Sequence, residues 1–502
     1  MNTYFNLADW TVIFAYLGGI IALGMWFGKD QRNVRDYFLG SRNTPWWGIG
    51  LSIVAAETSA LTIIGVPAIA YGGDVTFIQM IIGYVIARLI LAVVMVPHYL
   101  KGEIYSPYQL FADRLGARAR QTAGGFFLIS ETLAAGVRVY VVSIPIQLML
   151  GIGVVPSIIL FVVLSLVYTY VGGVKAVIWT DAVQFGLFLL GGLYAIFYIP
   201  TLVDGGFVGL MKTAASADKL HWLNPQFALD APFNIWMGVI GGTVLVLSSH
   251  GAEQLIVQRV LACKHVADGR KALVLSAVLI FPLFAIFLLV GVMLWVFYQG
   301  HPFQIPLPEA RPGIKANDFI FPIFMMTEVP HVLRGFLIVA ILSAAMSSVS
   351  SALTSLSSVS TMDFVKGEHG QRGEEFYLKF SKYSTVVWAG ILILVAYLSR
   401  EVAFVMNAAF TLRGLTSGAL VGGLMLAVFW KNGRAVSVIT GMMASLLFMI
   451  GVSQYSWSTV VDGKTVDHKV FWPWFTLIGT AVTLAVAGAV NLVTAPKVRT
   501  TS

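Results

Sequence analysis

Thirteen apolar stretches of about 17 to 30 residues follow one another along this chain of 502 residues. Each is long enough to cross the hydrocarbon layer of a bilayer as a helix. They cover 9–28, 46–71, 75–99, 120–150, 155–173, 177–199, 235–262, 271–299, 332–362, 377–398, 402–430, 434–452 and 471–493. In hydrocarbon a segment must satisfy its own backbone hydrogen bonds, so crossings of this length fold as helices. The chain reads as an all-α multi-pass membrane protein. Only 11% of its residues are charged, against roughly 25% in soluble domains. The longest polar connections, 200–234 and 300–331, are too short for an ordinary soluble catalytic domain. A receptor kinase, a fused ATPase and a nucleic-acid enzyme are thereby disfavoured. No GxxxxGK phosphate loop is present to power ATP-driven transport. The single cysteine, Cys263, excludes an internal disulfide and a cysteine metal cluster.

Charge placement orients the crossings. With the N-terminus outside, 21 Lys and Arg fall in cytoplasmic loops and 7 in exterior ones. The positive-inside rule therefore predicts N-terminus out and C-terminus in, consistent with an odd number of crossings. The net charge of +8 needs no nucleic-acid partner. No Lys or Arg precedes the first apolar stretch, whereas Lys29, Arg32 and Arg35 follow it. A cleavable signal has the opposite order, so the first stretch is expected to stay as a helix.

Arg88, Arg138 and Arg413 lie within the apolar stretches, as do Glu57, Glu131, Asp181 and Glu253. Ionisable groups at membrane depth face a cavity or a partner, so these seven residues outline the working interior. Five stretches (46–199) start inside and the next five (235–430) start outside, the layout of an inverted five-helix repeat. This divides the chain into an extra N-terminal helix and cytoplasmic loop (1–45), a first repeat (46–199), an extracellular connection (200–234), a second, inverted repeat (235–430), and two further helices with a tail (431–502). The first helix of each repeat is interrupted. Ala55-Ala56-Glu57-Thr58-Ser59-Ala60 interrupts one; Gly241-Gly242 and Ser248-Ser249-His250-Gly251 ahead of Glu253-Gln254 interrupt the other. Paired interruptions point to a midplane binding site.

In the stretch 332–362, Ser347 and Ser348 stand three and four positions after Ala344 and share a face with its carbonyl. That oxygen cluster suits a small cation; equally, small residues let helices pack closely. Glu57 at the first interruption reads as a functional group or as a hydrogen-bonded structural acid. Asp181 reads as a helix-start acid favoured by the dipole or as a carboxylate on a cation path. Arg138 and Arg413 can bind a carboxylate bidentately, although Glu131, two turns from Arg138 on the same face, offers Arg138 an internal partner. Gln258, Arg259 and Lys264 read as anchors of a cytoplasmic helix end, with Arg259 also available to gating pairs.

The run GGVKAVIWTDAVQ (172–184) resembles the signature of the sodium:solute symporter family. Three more segments match that family in order: AAETSALTIIGVP (55–67), EQLIVQRVL (253–261) with Ala262 and Lys264, and LSAAMSS (342–348). The resemblance covers about residues 10–430. It implies a leucine-transporter-like core with about 13 transmembrane helices and a sodium site. By position, that site takes carbonyls of Ala55, Thr58 and Ala344 and hydroxyls of Ser347 and Ser348. Asp181 is implied in a second sodium site or in sodium release, but Ala344 replaces the serine of the family's sialic acid member, which argues against a second sodium. Substrate positions carried over are Glu57, Ser59 and Thr62 at the break, Phe77 and Gln79 on the next helix, and His250, Glu253 and Gln254 at the second break. Phe77, Ser59 and Thr62 resemble the sialic acid member, from which Glu57 departs.

The resemblance implies sodium-coupled import of a small organic solute by alternating access, with no enzymatic activity. Arg138 and Arg413 favour an anionic or zwitterionic solute such as a carboxylate, a sialic acid or an amino acid. A neutral sugar or polyol, and a proton-coupled or sodium-independent carrier, are the alternatives. The expected partners are Na⁺, the solute and the lipid of a bacterial inner membrane, with neither nucleic acid nor an obligate protein partner.

Overall fold

The computed structural model describes residues 4–27, 33–102, 104–231, 233–307, 309–311, 314–315, 317–367, 370–401, 405–461 and 464–494. Lys29, Arg32, Lys497 and Arg499, counted above in cytoplasmic loops, lie outside them. The described chain is mostly helical. The principal helices are α1 (Leu7–Phe27), α2 (Trp46–Glu57), α3 (Ala60–Gly72), α4 (Ile78–Val94), α5 (Ala117–Leu150), α6 (Val154–Tyr198), α7 (Thr243–Gly251) and α8 (Gln254–Leu261). They continue with α9 (Val266–Gly300), α10 (Leu333–Val359), α11 (Glu374–Leu398), α12 (Val405–Phe429), α13 (Ala435–Gln454) and α14 (Phe475–Thr494). Nine helical segments among the described residues are long and apolar enough to cross a bilayer, or ten when α2 and α3 count as one bent span.

Three breaks shape the bundle. At the first, Thr58 leaves helical geometry (φ −79°, ψ 86°) while its N–H still bonds the Val54 carbonyl at 2.8 Å. The axis turns by 53° before the helix resumes. Hydroxyl-bearing residues suit such a position because their side chains offer the backbone alternative hydrogen bonds. At the second, Glu253 is extended (φ −103°, ψ 132°) and separates α7 from α8. The third lies inside α6. Its 45 residues would span about 68 Å as one rod, more than twice the hydrocarbon thickness. Gly173 interrupts it with φ 54° and ψ −160°. A Cβ there would lie 2.6 Å from the Tyr37 carbonyl oxygen, so only glycine fits.

The serine-rich α10 is the central helix, with all but a few side chains buried. It packs along α1, α5 and α6 and against both halves of the first broken helix. The second half of the chain closes onto the first through glycines. A Cβ on Gly83 of α4 would sit 2.2 Å from the Gly238 carbonyl oxygen, in the π-helical turn Met237–Gly242 that leads into α7. Close backbone approach of this kind is how helices associate in lipid.

Two strand pairs among the described residues depart from the all-α expectation: a short one, Glu309–Arg311 with Ile314–Lys315, and a longer hairpin. The connection between α13 and α14 is an exposed antiparallel hairpin, Ser456–Val461 paired with Lys464–Lys469. The residues Trp457, Thr459, Val460 and Val461 suit strands. The hairpin holds the long connection 217–234 by its His468, which bonds the Asp230 carboxylate, and just beyond the hairpin the Phe471 N–H bonds the Leu229 carbonyl at 2.7 Å.

Candidate functional site

Around the first break the side chains and free carbonyls form an oxygen-rich region. Ala55 and Thr58 are buried, and α10 packs against both helices that flank the break. On α10 the Ser348 hydroxyl donates to the Ala344 carbonyl at 3.0 Å. The Ser347 hydroxyl donates to Asp181 Oδ1 at 2.6 Å. Among the described residues the buried Thr58 hydroxyl has no hydrogen-bond partner, and an unpaired buried hydroxyl is unfavourable unless something occupies the site. These donors are all neutral oxygens, which fits a hard monovalent cation better than a divalent ion that needs carboxylates. Among the described residues no cluster of three His, Cys, Asp or Glu suited to a metal exists.

Directly next to Ser347 lies a second buried knot. Asp181 is fully buried and pairs with Arg259 at 2.8 Å, while Ser52 donates to the same carboxylate oxygen at 2.5 Å. The guanidinium of Arg259 also donates to Ser52 Oγ at 2.8 Å, to the Leu255 carbonyl at 2.5 Å and to Ser351 Oγ. The Arg259 side chain is only 2% exposed. The expected anchor of a helix end is therefore an interior cation that ties α2, α6, α8 and α10 together. Its sequence signal was its place: Arg259 falls inside the apolar stretch 235–262 rather than beyond its end.

Between the two breaks lies a cavity of about 800 Å³ including its open mouth. Of the expected substrate positions, Glu57, Ser59, Thr62, Phe77, Arg138, His250 and Arg413 line it. Aromatic rings form part of the wall: Phe77 meets Phe233 edge-on at 4.7 Å and stacks with Phe284 at 5.8 Å. Arg138 is backed by Glu131 (3.2 Å), so its internal partner is present while the residue still lines the cavity. Arg413 is held bidentately by Glu253.

Three expected positions are not on the cavity wall. Gln79 is consumed by the 217–234 connection: it donates to the Phe233 carbonyl at 3.4 Å and accepts from the Asn224 N–H at 3.1 Å. Gln254 points to the Tyr105 carbonyl (2.7 Å) and Ser358 (3.1 Å), away from the solute region. Glu253 stands behind Arg413 as its counter-ion rather than at the surface. A residue that the sequence placed inside the membrane without a role, Arg88, instead proves central. It is fully buried and binds Glu57, with His250 Nε2 3.1 Å from the same nitrogen. Tyr84, four residues earlier, accepts a further bond at 2.9 Å through its carbonyl.

A model of the sodium:solute symporter family matches residues 37–445. The chain is 31% identical to the sodium/sialic acid symporter SiaT of Proteus mirabilis (strain HI4320), with 89% of each protein covered. It is 29% identical to the sodium/sialic acid symporter NanT of Aliivibrio fischeri (strain ATCC 700601 / ES114), covering 89% of this chain and 88% of that one. In three dimensions it superposes on the substrate-bound, outward-open structure of a Na⁺-coupled sialic acid symporter. That match has a TM-score of 0.85 at 28% identity and covers 98% of this chain and 99% of the other. The chain belongs to the sodium:solute symporter family.

Proposed function

We propose that this chain imports a small organic monocarboxylate, anionic or zwitterionic, together with Na⁺ by alternating access. The observation that carries the reading is the adjacency of an all-oxygen region around the unpartnered Thr58 hydroxyl and a cavity that two arginines line. Both sialic acid symporters among its relatives act on a carboxylate, and the guanidinium edges of Arg138 and Arg413 suit that group.

In this reading the carbonyls of Ala55, Thr58 and Ala344 and the hydroxyls of Ser347 and Ser348 hold Na⁺. Bridging α2 to α10 fixes the bend at Thr58 and with it the cavity wall formed by Glu57, Ser59 and Thr62. Sodium thereby raises solute affinity, and solute raises sodium affinity by the same factor. The Asp181–Arg259 knot closes the way from Ser347 to the cytoplasm, and its parting is the release step. The four interior carboxylates, Glu57, Glu131, Asp181 and Glu253, are each paired with an arginine. The protein thus brings no net charge to the site, and a carboxylate solute neutralises the sodium that accompanies it.

The chain crosses the membrane 13 times in this reading, with the N-terminus outside and the C-terminus inside. The break at Gly173 splits α6 into two crossings, and α7 with α8 forms another; the residues 46–199 and 235–430 are the inverted repeats. The bacterial inner membrane is its place. A thermal-shift screen of purified protein in sodium or choline, across carboxylates, amino acids and sugars, tests the function. Stabilisation by a carboxylate only in sodium supports it. Stabilisation by a neutral sugar alone, or stabilisation indifferent to sodium, refutes it.

A further inference from the structure

Glu57 differs from the other three interior carboxylates in how it is exposed. Its side chain is 15% accessible, whereas Glu131, Asp181 and Glu253 are at most 2% accessible. Glu57 Oε2 is engaged by Arg88 and lies 3.6 Å from His250 Nε2. Among the described residues Oε1 makes no hydrogen bond, and Glu57 lines the cavity. One oxygen of the carboxylate is thus held from behind while the other is offered to whatever fills the cavity.

The support behind it fixes the chemistry of that oxygen. A guanidinium can only donate, so His250 Nε2, 3.1 Å from Arg88 Nη2, must accept. The imidazole proton then sits on Nδ1, which faces Ser249 Oγ at 2.9 Å. His250 is therefore a neutral acceptor that shares the Arg88 nitrogen with Glu57. Arg88 Nη1 is anchored to the Tyr84 carbonyl, one helical turn back. Arg88 and His250 thus fix Glu57 Oε2 from behind, and the arginine-paired carboxylate presents Oε1 to the cavity as an acceptor. An acceptor of this kind, left open in a low-dielectric wall, needs a donor to complete it.

Resting on the symporter reading above, we propose that Glu57 selects solutes that carry a hydrogen-bond donor, a hydroxyl or an ammonium, in addition to the carboxylate. Arg88 and His250 are its positioning residues. A plain aliphatic carboxylate would satisfy the arginine edges yet leave the Glu57 oxygen desolvated and unpaired. Rejection on that ground is the strong kind of discrimination, because the loss is a buried charged acceptor without a partner.

Three acids of equal chain length separate the chemistries: hexanoate without donors, gluconate with hydroxyls and 6-aminohexanoate with an ammonium; N-acetylneuraminate is added as a larger hydroxylated acid. Binding to the full-length protein in sodium is followed by thermal shift and calorimetry. At least one donor-bearing acid should bind tenfold or more tightly than hexanoate, and Glu57→Gln should erase that preference. Whether gluconate or 6-aminohexanoate prevails identifies the donor. For the positioning role, Arg88→Met should lose the preference and Arg88→Lys should restore part of it, which a purely structural arginine would not predict. Equal or tighter binding of hexanoate, failure of every donor-bearing acid to bind, or an undiminished preference in Glu57→Gln overturns the proposal. Stabilisation by sodium alone, measured on the same samples, reports the symporter reading separately. Its absence in the unmodified protein counts against sodium coupling, whereas its presence without donor preference counts against Glu57 only.

Discussion

Replacing Arg259 by methionine keeps much of the side chain's length and removes its charge. Four partners lose their donor: Asp181, Ser52, Ser351 and the Leu255 carbonyl. Asp181 is left fully buried with only two serine hydroxyls to hold it. Removing one member of a buried ion pair is destabilising by about 3–5 kcal/mol, because the remaining charge is uncompensated. With an unfolding entropy of about 2.1 cal/mol/K per residue, a chain of 502 residues loses about 4 °C of melting temperature for 4 kcal/mol. The double variant Asp181→Asn, Arg259→Met removes both charges, so it should recover more than half of that loss, a coupling that a double-mutant cycle isolates. Melting followed by intrinsic fluorescence in detergent measures all four species. An unchanged melting temperature in Arg259→Met, or additive losses in the double variant, would refute the knot.

The oxygen cluster is tested by Ser348→Ala, which should weaken sodium binding about tenfold or more while expression is retained, since one ligand is worth on the order of 1–3 kcal/mol; unchanged sodium affinity excludes Ser348 as a ligand. Arg138→Gln should abolish binding of carboxylate solutes in a radiolabel assay, and full activity of this variant on a sugar would end the anion argument. On the exterior side, burial alone would raise the Asp230 carboxyl, but the hydrogen bond and charge of His468 outweigh it and hold the group below the usual aspartate range. A depressed folded-state value means stabilisation that is present above the ordinary range near pH 4 and lost as pH falls through the lower, folded value. Amide exchange in the hairpin 456–469 should therefore stay slow down to about pH 4 and quicken below it, and Asp230→Asn should remove that acid transition; an identical profile in the variant would show that Asp230 does not hold the hairpin.

The mostly helical fold and the breaks in its helices were legible because lipid imposes a strict rule on length and backbone satisfaction. The Thr58–Ser59 interruption and the Gly173 kink fall where hydroxyls and glycine allow the backbone to leave a helix. The cavity was partly legible: Glu57, Ser59, Thr62, Phe77, Arg138, His250 and Arg413 meet there although they are far apart in sequence. What sequence could not supply was which neighbour a buried polar side chain turns to. Gln79 and Gln254 sit beside true wall residues, yet their amides turn toward backbone carbonyls of neighbouring segments. Pairing was equally opaque. Glu253 and Arg413 are separated by 160 positions, as are Asp181 and Arg259 by 78, and only the fold decides which charge meets which. The hairpin between α13 and α14 escaped notice because its polar alternation is short and resembles an ordinary loop.

The matching of Glu57, Glu131, Asp181 and Glu253 with an arginine each leaves those four pairs without net charge. A membrane potential acts on charge that moves, and these four pairs carry none as units. The field therefore does its work on cargo alone, at about 2.3 kcal/mol per elementary charge across 100 mV. One Na⁺ with a monoanion crosses without current, and the same Na⁺ with a zwitterion carries one charge inward. The empty carrier returns without opposing the field in either case. As long as the four pairs stay closed, the voltage dependence of uptake reads out the charge of the cargo.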